Sequence, residues 1–296
     1  MSDETISQAL AGIITTATGR AFSLQGQQRA LGGDASQASV LTGDDGRRFF
    51  VKLDRAAAEP LLAAEAAGLE ELAQSRTIRV PAVIAVGHTQ GRAYLVIEHV
   101  GLRRADRACL IHFGEALAEL HGIVAPRHGW HHDNLLGATH QYNTPHGDWL
   151  EFWRENRLAV MLDALAADEP ALARDGDRLL SVLPTLLAGH APEPSLLHGD
   201  LWSGNMAMDE TGRPVIYDPA VYYGDRETDL AMTELFGGFG PAFYEAYWAS
   251  WPMRAEYREI RRPLYQLYHL LNHARLFGSG YVAPSQRIMR QLVAMA

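Results

Sequence analysis

The sequence predicts an α+β fold of two lobes: a small antiparallel β-lobe carrying one helix over residues 1–100, and a larger, mostly helical lobe over residues 101–296. Three features predict it. Apolar runs bounded by glycine turns crowd the first hundred residues, apolar residues at helical spacing dominate beyond Gly101, and a 47% hydrophobic content supplies a full core. In chain order, Ile6, Leu10, Ile13 and Ile14 place a helix in the first 20 residues. A strand-like region follows, broken by Gly32-Gly33 and resumed over 38–42. Gly43-Asp44-Asp45-Gly46 then turns the chain as a hairpin, and 48–53 is the returning strand. Pro60, suited to the first helical position, opens a helix over 61–74. Residues 80–86 and 93–100 form two more strands, with 87–91 turning between them. Helices follow over 107–121, 149–167, 176–187, 229–236, 241–250 and 257–277. Short β segments at 196–198 and 215–217 interrupt them, and 168–173 and 190–194 read as loops or helix ends.

Composition narrows the classes of function. No stretch approaches the roughly 20 apolar residues that span a bilayer, and the N-terminus MSDETISQAL lacks the basic head and apolar core of a secretory signal. The expectation is a cytoplasmic protein with no membrane partner. One cysteine, Cys109, forms neither an internal disulfide nor a multi-cysteine zinc site, as suits a reducing compartment. A net charge of −9 argues against a nucleic-acid partner, and short clusters such as Arg47-Arg48 and Arg103-Arg104 read as surface arginines. Among 26 basic residues, Lys52 is the single lysine. A coding bias toward arginine explains the arginines but not the surviving lysine. A site that needs a compact ammonium rather than a planar guanidinium fork would resist replacement.

Five elements occur in an order that carries chemistry. Gly32 and Gly33, with Ser36, lie in a loop between two strands, where small residues let backbone amides approach phosphate oxygens; alone, such a pair also marks an ordinary turn. Lys52 sits on the strand after the hairpin and Glu65 on the following helix, where a lysine held by a helix carboxylate can bridge nucleotide phosphates. Alone, Glu65 reads as a solvated helix carboxylate. In His198-Gly199-Asp200-Leu201-Trp202-Ser203-Gly204-Asn205, the Asp200 to Asn205 spacing matches the catalytic loop of kinases, with glycine in place of arginine. The aspartate accepts or orients a hydroxyl proton, and the asparagine oxygen helps to hold magnesium. Asp218 follows the apolar run 215–217, placed to bind magnesium that bridges the phosphates. Together these features imply a protein-kinase-like fold with ATP held between the lobes.

At these residues the chain resembles the fructosamine kinase (ketosamine 3-kinase) family, in the aminoglycoside-phosphotransferase-like branch of kinases. HGDLWSGN (198–205) and DPAVYYGDRETDLAMTELFGGF (218–239) carry the core. GWHHDNLLGATHQYN (129–143), DWLEFWRENRL (148–158) and LYHLLNHARLFGSGY (267–281) separate it from choline and aminoglycoside kinases. The resemblance implies ATP- and Mg2+-dependent phosphorylation of the 3-hydroxyl of a ketosamine, free or on a glycated protein amine, after which the adduct falls apart and the amine is regenerated. It makes Asp200 the base, Asn205 and Asp218 the magnesium ligands, and Lys52 with Glu65 the phosphate clamp. Glu98, His99 and Val100 fall at the adenine-contacting hinge. Asp229, with His198, supports the catalytic loop. Some members carry a cysteine in the glycine-rich loop that links dimers by a disulfide. Here that loop reads GGDAS, so a monomer is expected rather than a redox-linked dimer.

On the acceptor side, Trp202, two residues past the base, is a candidate platform, or else a core tryptophan. Asp133 and Asn134 contact substrate or shape its pocket. His269 and His273 share one helix face, as packing or as a polar pocket wall. Adjacent His131-His132 point apart on most backbones and make a poor metal site. Another small-molecule kinase of the same fold, acting on choline or an aminoglycoside, and a nucleotide-binding pseudokinase share parts of the pattern.

Overall fold

A computed structural model describes residues 3–30 and 37–296; the expected glycine-rich loop, with Gly32, Gly33 and Ser36, lies outside the described residues. Helix α1 (Asp3–Thr18) precedes strands β1 (Leu24–Arg29), β2 (Gln37–Gly43) and β3 (Arg48–Arg55). Helix α2 (Glu59–Ser75), with Pro60 in its first turn, and strands β4 (Val83–Thr89) and β5 (Arg92–Glu98) complete this part. Among the described residues these strands form an antiparallel sheet in the order β1-β2-β3-β5-β4. Alternation along β3 decides which face each residue serves. Phe49, Val51 and Leu53 pack with Ile6, Leu10 and Ile14 of α1 in one core. Lys52 therefore points to the opposite face, toward α2, whose Leu62, Ala66, Leu69 and Leu72 join the main core.

From there the chain is mainly helical. It runs through α3 (Arg107–Leu120), β6 (Asn134–Leu136), β7 (Thr139–Gln141), α4 (Trp149–Trp153), a π-helical turn (Arg154–Ala159), α5 (Val160–Leu165) and α6 (Pro170–Leu186). Four short strands follow: β8 (Ser195–Leu197), β9 (Met206–Met208), β10 (Pro214–Ile216) and β11 (Tyr222–Gly224). Helices α7 (Glu227–Leu235), α8 (Pro241–Ser250), α9 (Arg262–Phe277) and α10 (Val282–Met295) complete the chain, with a second π turn (Tyr257–Arg261) leading into α9. Helix α9 is the central strut, with Leu264, Tyr265, Leu267, Tyr268 and Leu271 all buried. No helix among the described residues is long and apolar enough to cross a membrane.

The expected two-part α+β arrangement is present, with local differences. The strand predicted from residue 80 begins at Val83, because Pro81 has no N–H for the ladder. The helix predicted from 176 begins at Pro170, extending the buried stripe of Leu172, Leu179 and Leu183 into residues expected to be loop or helix end. The single helix predicted over 149–167 is interrupted by the π turn, where the buried Arg157 guanidinium lies 4.6 Å from the centre of the Phe152 ring and 4.2 Å from that of Tyr222. The two short β segments predicted at 196–198 and 215–217 belong to separate ladders: β8 pairs with β11, and β10 with β9.

Arg79 ties the two parts of the chain together. Its guanidinium binds Glu98 at the end of β5 and, at 2.5 Å, the buried Asp209 in the β9–β10 turn. Its carbonyl accepts from Ile216 N at 3.0 Å, and Arg103 and Met208 exchange backbone bonds beside it. Arg79→Met strips one cation from the buried Asp209 but leaves the bonds from Thr211 and Arg213. We expect a loss of about 2 kcal/mol of unfolding free energy. It would be read as a lower urea midpoint at unchanged slope; an unmoved midpoint would show that the clamp contributes nothing.

Candidate active site

Strand β8 ends at the loop His198–Asp200, and the loop returns through Asn205 into β9. Asp229, in the first turn of α7, holds this loop from behind: its carboxylate accepts from His198 N at 2.8 Å and Gly199 N at 2.9 Å, and faces His121 Nε2 at 3.3 Å. Burial alone would raise the Asp229 carboxyl. The His121 hydrogen bond, the nearby His198 and the loop amides outweigh it and hold the carboxyl below the usual range. The buried His198 ring donates from Nε2 to Tyr217 O at 3.1 Å, which leaves Nδ1 to accept from Asp200 N at 3.2 Å. Burial lowers its pKa and keeps that neutral tautomer. Gly199 has φ +83°, and a Cβ there would lie 2.0 Å from Ala220 O, so the close approach of two backbones admits only glycine.

Asn205 closes the loop. Its Nδ2 donates to Asp200 O at 2.9 Å and Asp200 Oδ2 at 3.2 Å, and its carbonyl accepts from Tyr217 N at 3.1 Å. That orientation leaves Oδ1 as the amide atom able to face a cation. Asp218 takes φ +55°, a conformation uncommon for a non-glycine residue. Lys52 Nζ lies 2.7 Å from Glu65 and 2.8 Å from Asp218. Burial disfavours the Lys52 charge, but the two carboxylates prevail and its pKa stands above the ordinary lysine value. Burial pushes the Glu65 carboxyl up against the pull of Lys52. Burial and the neighbouring Asp218 push Asp200 up to about 7. Two carboxylates and an amide oxygen beside one ammonium make a hard-oxygen donor set of the kind that magnesium takes.

The structure thus brings Lys52, Glu65, Asp200, Asn205 and Asp218 together, with His198 and Asp229 behind them. His99 and Val100 are half-buried in the connection after β5, while the Glu98 carboxylate is taken by Arg79 and its N–H by Ala82 O. Asn134 lies behind the site: it is buried, its Nδ2 donates to Val221 O, and its Oδ1 accepts from Gln141 and Asn143, so its amide is fully taken up by the protein. Asp133 is exposed and accepts from His140 Nε2 and Asn143 N. Trp202 is 38% exposed, not a core residue. It begins a run of ring contacts: Trp202 to Phe236 at 6.2 Å, Phe236 to His273 at 5.0 Å, then His273 to Phe277 at 5.3 Å and Tyr281 at 5.1 Å. Phe236, Phe277 and Tyr281 were not anticipated from the sequence; aromatic residues recurring every four positions at 273, 277 and 281 were the available signal.

Comparison with known proteins shows the family. Residues 6–295 match the Fructosamine kinase family. The chain is 42% identical over 285 residues to a probable ketoamine kinase of Synechocystis, covering 96% of each chain. It is 42% identical over 272 residues to the chloroplastic protein-ribulosamine 3-kinase of Arabidopsis thaliana, covering 89% of this chain and 81% of that one. A structure from Thermobifida fusca assigned as a fructosamine-3-kinase superposes with a TM-score of 0.85 at 32% identity, covering 97% of this chain and 99% of that one. An aminoglycoside phosphotransferase superposes with a TM-score of 0.67 at 13% identity, over 99% of both, and shares the fold.

Asp229 supplies stability that depends on its charge. Its folded pKa is depressed, so the contribution is full above the unfolded carboxylate value of about 4 and fades as pH falls through the lower folded value. Asp229→Asn should cost about 2 kcal/mol at pH 7. Wild type should then lose stability below pH 4 more steeply than the variant. Denaturant titrations at pH 7 and pH 3 measure both; parallel losses would mean that the carboxylate charge does not support the loop.

Proposed function

The chain belongs to the fructosamine kinase family, and from that premise we propose that it carries the γ-phosphoryl group of ATP to the 3-hydroxyl of a ketosamine through the constellation around Asp200. The observation that carries this reading is the meeting of Lys52, Glu65, Asp200, Asn205 and Asp218 at one place between the sheet and the helical part. We divide the lobes near residue 100, where β5 hands over to the connection before α3.

Lys52, steadied by Glu65, binds phosphate oxygens as a compact charge. Asp218 and Asn205 Oδ1 would hold Mg2+, which when bound supplies positive charge to the phosphates. Asp200 orients the sugar hydroxyl and takes its proton as the new oxygen–phosphorus bond forms and the bond to ADP breaks. Burial raises the proton affinity of Asp200, which suits a base. Trp202, Phe236 and His273 form an aromatic wall for the sugar–amine adduct, with Phe277, 54% exposed, at its outer end. That open end suits a large amine, including a glycated protein side chain. Cys109 is buried, and burial pushes its thiol up to about 11, so it is poorly placed for disulfide exchange; on that ground we favour a monomer over a disulfide-linked dimer.

Asp200→Asn should lower turnover by about 10²- to 10⁴-fold while leaving ATP affinity within about twofold; unchanged turnover in the folded variant would overturn the role. Purified protein offered magnesium, ATP and in parallel ribulose-lysine, fructose-lysine, choline and an aminoglycoside should consume ATP with the ketosamines, and phosphorus NMR should show a 3-phosphate. Turnover confined to choline or the aminoglycoside would keep the mechanism and overturn the acceptor.

A further inference from the structure

Three segments, 129–143, 148–158 and 267–281, converge on one buried polar network. From the first, Gln141 Nε2 donates to Asn134 Oδ1 at 2.9 Å and to Ala220 O at 3.0 Å. Asn134 Nδ2 donates to Val221 O at 2.8 Å, and Asn143 Nδ2 donates to Asn134 Oδ1 at 3.1 Å and His132 O at 2.9 Å. From the second, Arg157 Nη2 donates to Asn143 Oδ1 at 2.8 Å. From the third, Tyr268 OH donates to Gln141 Oε1 at 3.0 Å. Asn134, Gln141, Asn143, Arg157 and Tyr268 are each at most 3% exposed. Every amide oxygen accepts and every amide nitrogen donates, so the network holds one arrangement and not its flipped alternatives.

Its outputs are the carbonyls of Ala220 and Val221, directly after Asp218-Pro219. The same two residues touch the catalytic machinery on their other side. Ala220 N donates to His198 O at 2.8 Å, and Ala220 O fills the space that a Cβ on Gly199 would need. Val221 packs against α2 at Gly68, one turn from Glu65, and Tyr223 OH donates to Glu71 of the same helix at 2.6 Å. A shift of residues 220–221 would therefore move Asp218, the loop that carries Asp200, and the helix that steadies Lys52.

We propose that Gln141 is a positioning residue for the magnesium and phosphate site: with Asn134 and Tyr268 it pins the carbonyls of Ala220 and Val221, and through them sets Asp218 and the catalytic loop. It touches neither nucleotide nor acceptor. The proposal rests on the functional reading above only for its second measurement.

Gln141→Leu keeps the bulk and removes the bonds. Hydrogen exchange on the free protein should rise at least tenfold at the amides of His198, Gly199 and Ala220, while the β2–β3 amides stay within twofold. Magnesium-dependent binding of a non-hydrolysable ATP analogue, followed by calorimetry, should need at least fivefold more magnesium for half-saturation. A uniform rise in exchange, or unchanged exchange at those three amides, overturns the proposal. So does local loosening with an unchanged magnesium requirement. Should Gln141→Leu fail to fold, Tyr268→Phe removes a single donor to Gln141 and is read by the same pair of measurements. At least a threefold local rise with a higher magnesium requirement is expected, and protection and requirement equal to wild type overturn the proposal. A wild-type protein that binds no ATP would count against the functional reading and leave the exchange comparison to decide the network.

Discussion

A single buried ammonium joins the parts of this molecule that must act together. Lys52 projects from β3 into contact with Glu65 on α2 and with Asp218 beyond β10. An isolated charge at that depth would cost far more than the fold could absorb. The sheet, the helix and the helical part must therefore stay in register to keep both carboxylates within reach. Removing Lys52 would leave two carboxylates with no cation between them. The one lysine in the chain is thus also the point at which an error in the relative placement of three elements would be felt first.

The second constraint is backbone crowding. Catalytic-loop residues are held by what accepts and donates behind them: the Asp229 carboxylate takes the His198 and Gly199 amides, and Ala220 presses against Gly199. These contacts lie in the interior, where solvent cannot substitute for a lost partner. Buried polar groups accordingly pair with one another, as the Asn134, Gln141 and Asn143 amides do. The exposed side of the site is different in kind. The rings from Trp202 to Phe277 make an apolar ledge rather than a hydrogen-bonded lattice. On the reading we propose, such a surface suits amines of varied size.

Much of the architecture was legible because it depends on local rules. The Gly43–Gly46 turn, Pro60 at the start of α2 and the stripe of Ile6, Leu10 and Ile14 each declare their element within a few residues. The reading faltered where tertiary contact outweighed local preference. At Arg154–Ala159 the helix widens where a guanidinium finds three aromatic rings. The β6–β7 hairpin is too short to show a period, and its Asn134 and Gln141 amides donate to distant Val221 and Ala220.

Sequence alone determined the identity and order of the chemistry: a lone lysine on a strand, a carboxylate on the next helix, and an aspartate and asparagine five positions apart, then a second aspartate. Spacing along a chain is a covalent fact, and it survives without knowledge of the fold. Tertiary structure decided which polar residues serve the site from behind. Asn134, expected to contact substrate or shape its pocket, faces inward; Gln141 and Asn143 complete its hydrogen bonds and Arg157 holds Asn143, none of them singled out individually from the sequence. An amide's role depends on which distant carbonyl folding brings within 3 Å, and no local pattern encodes that distance.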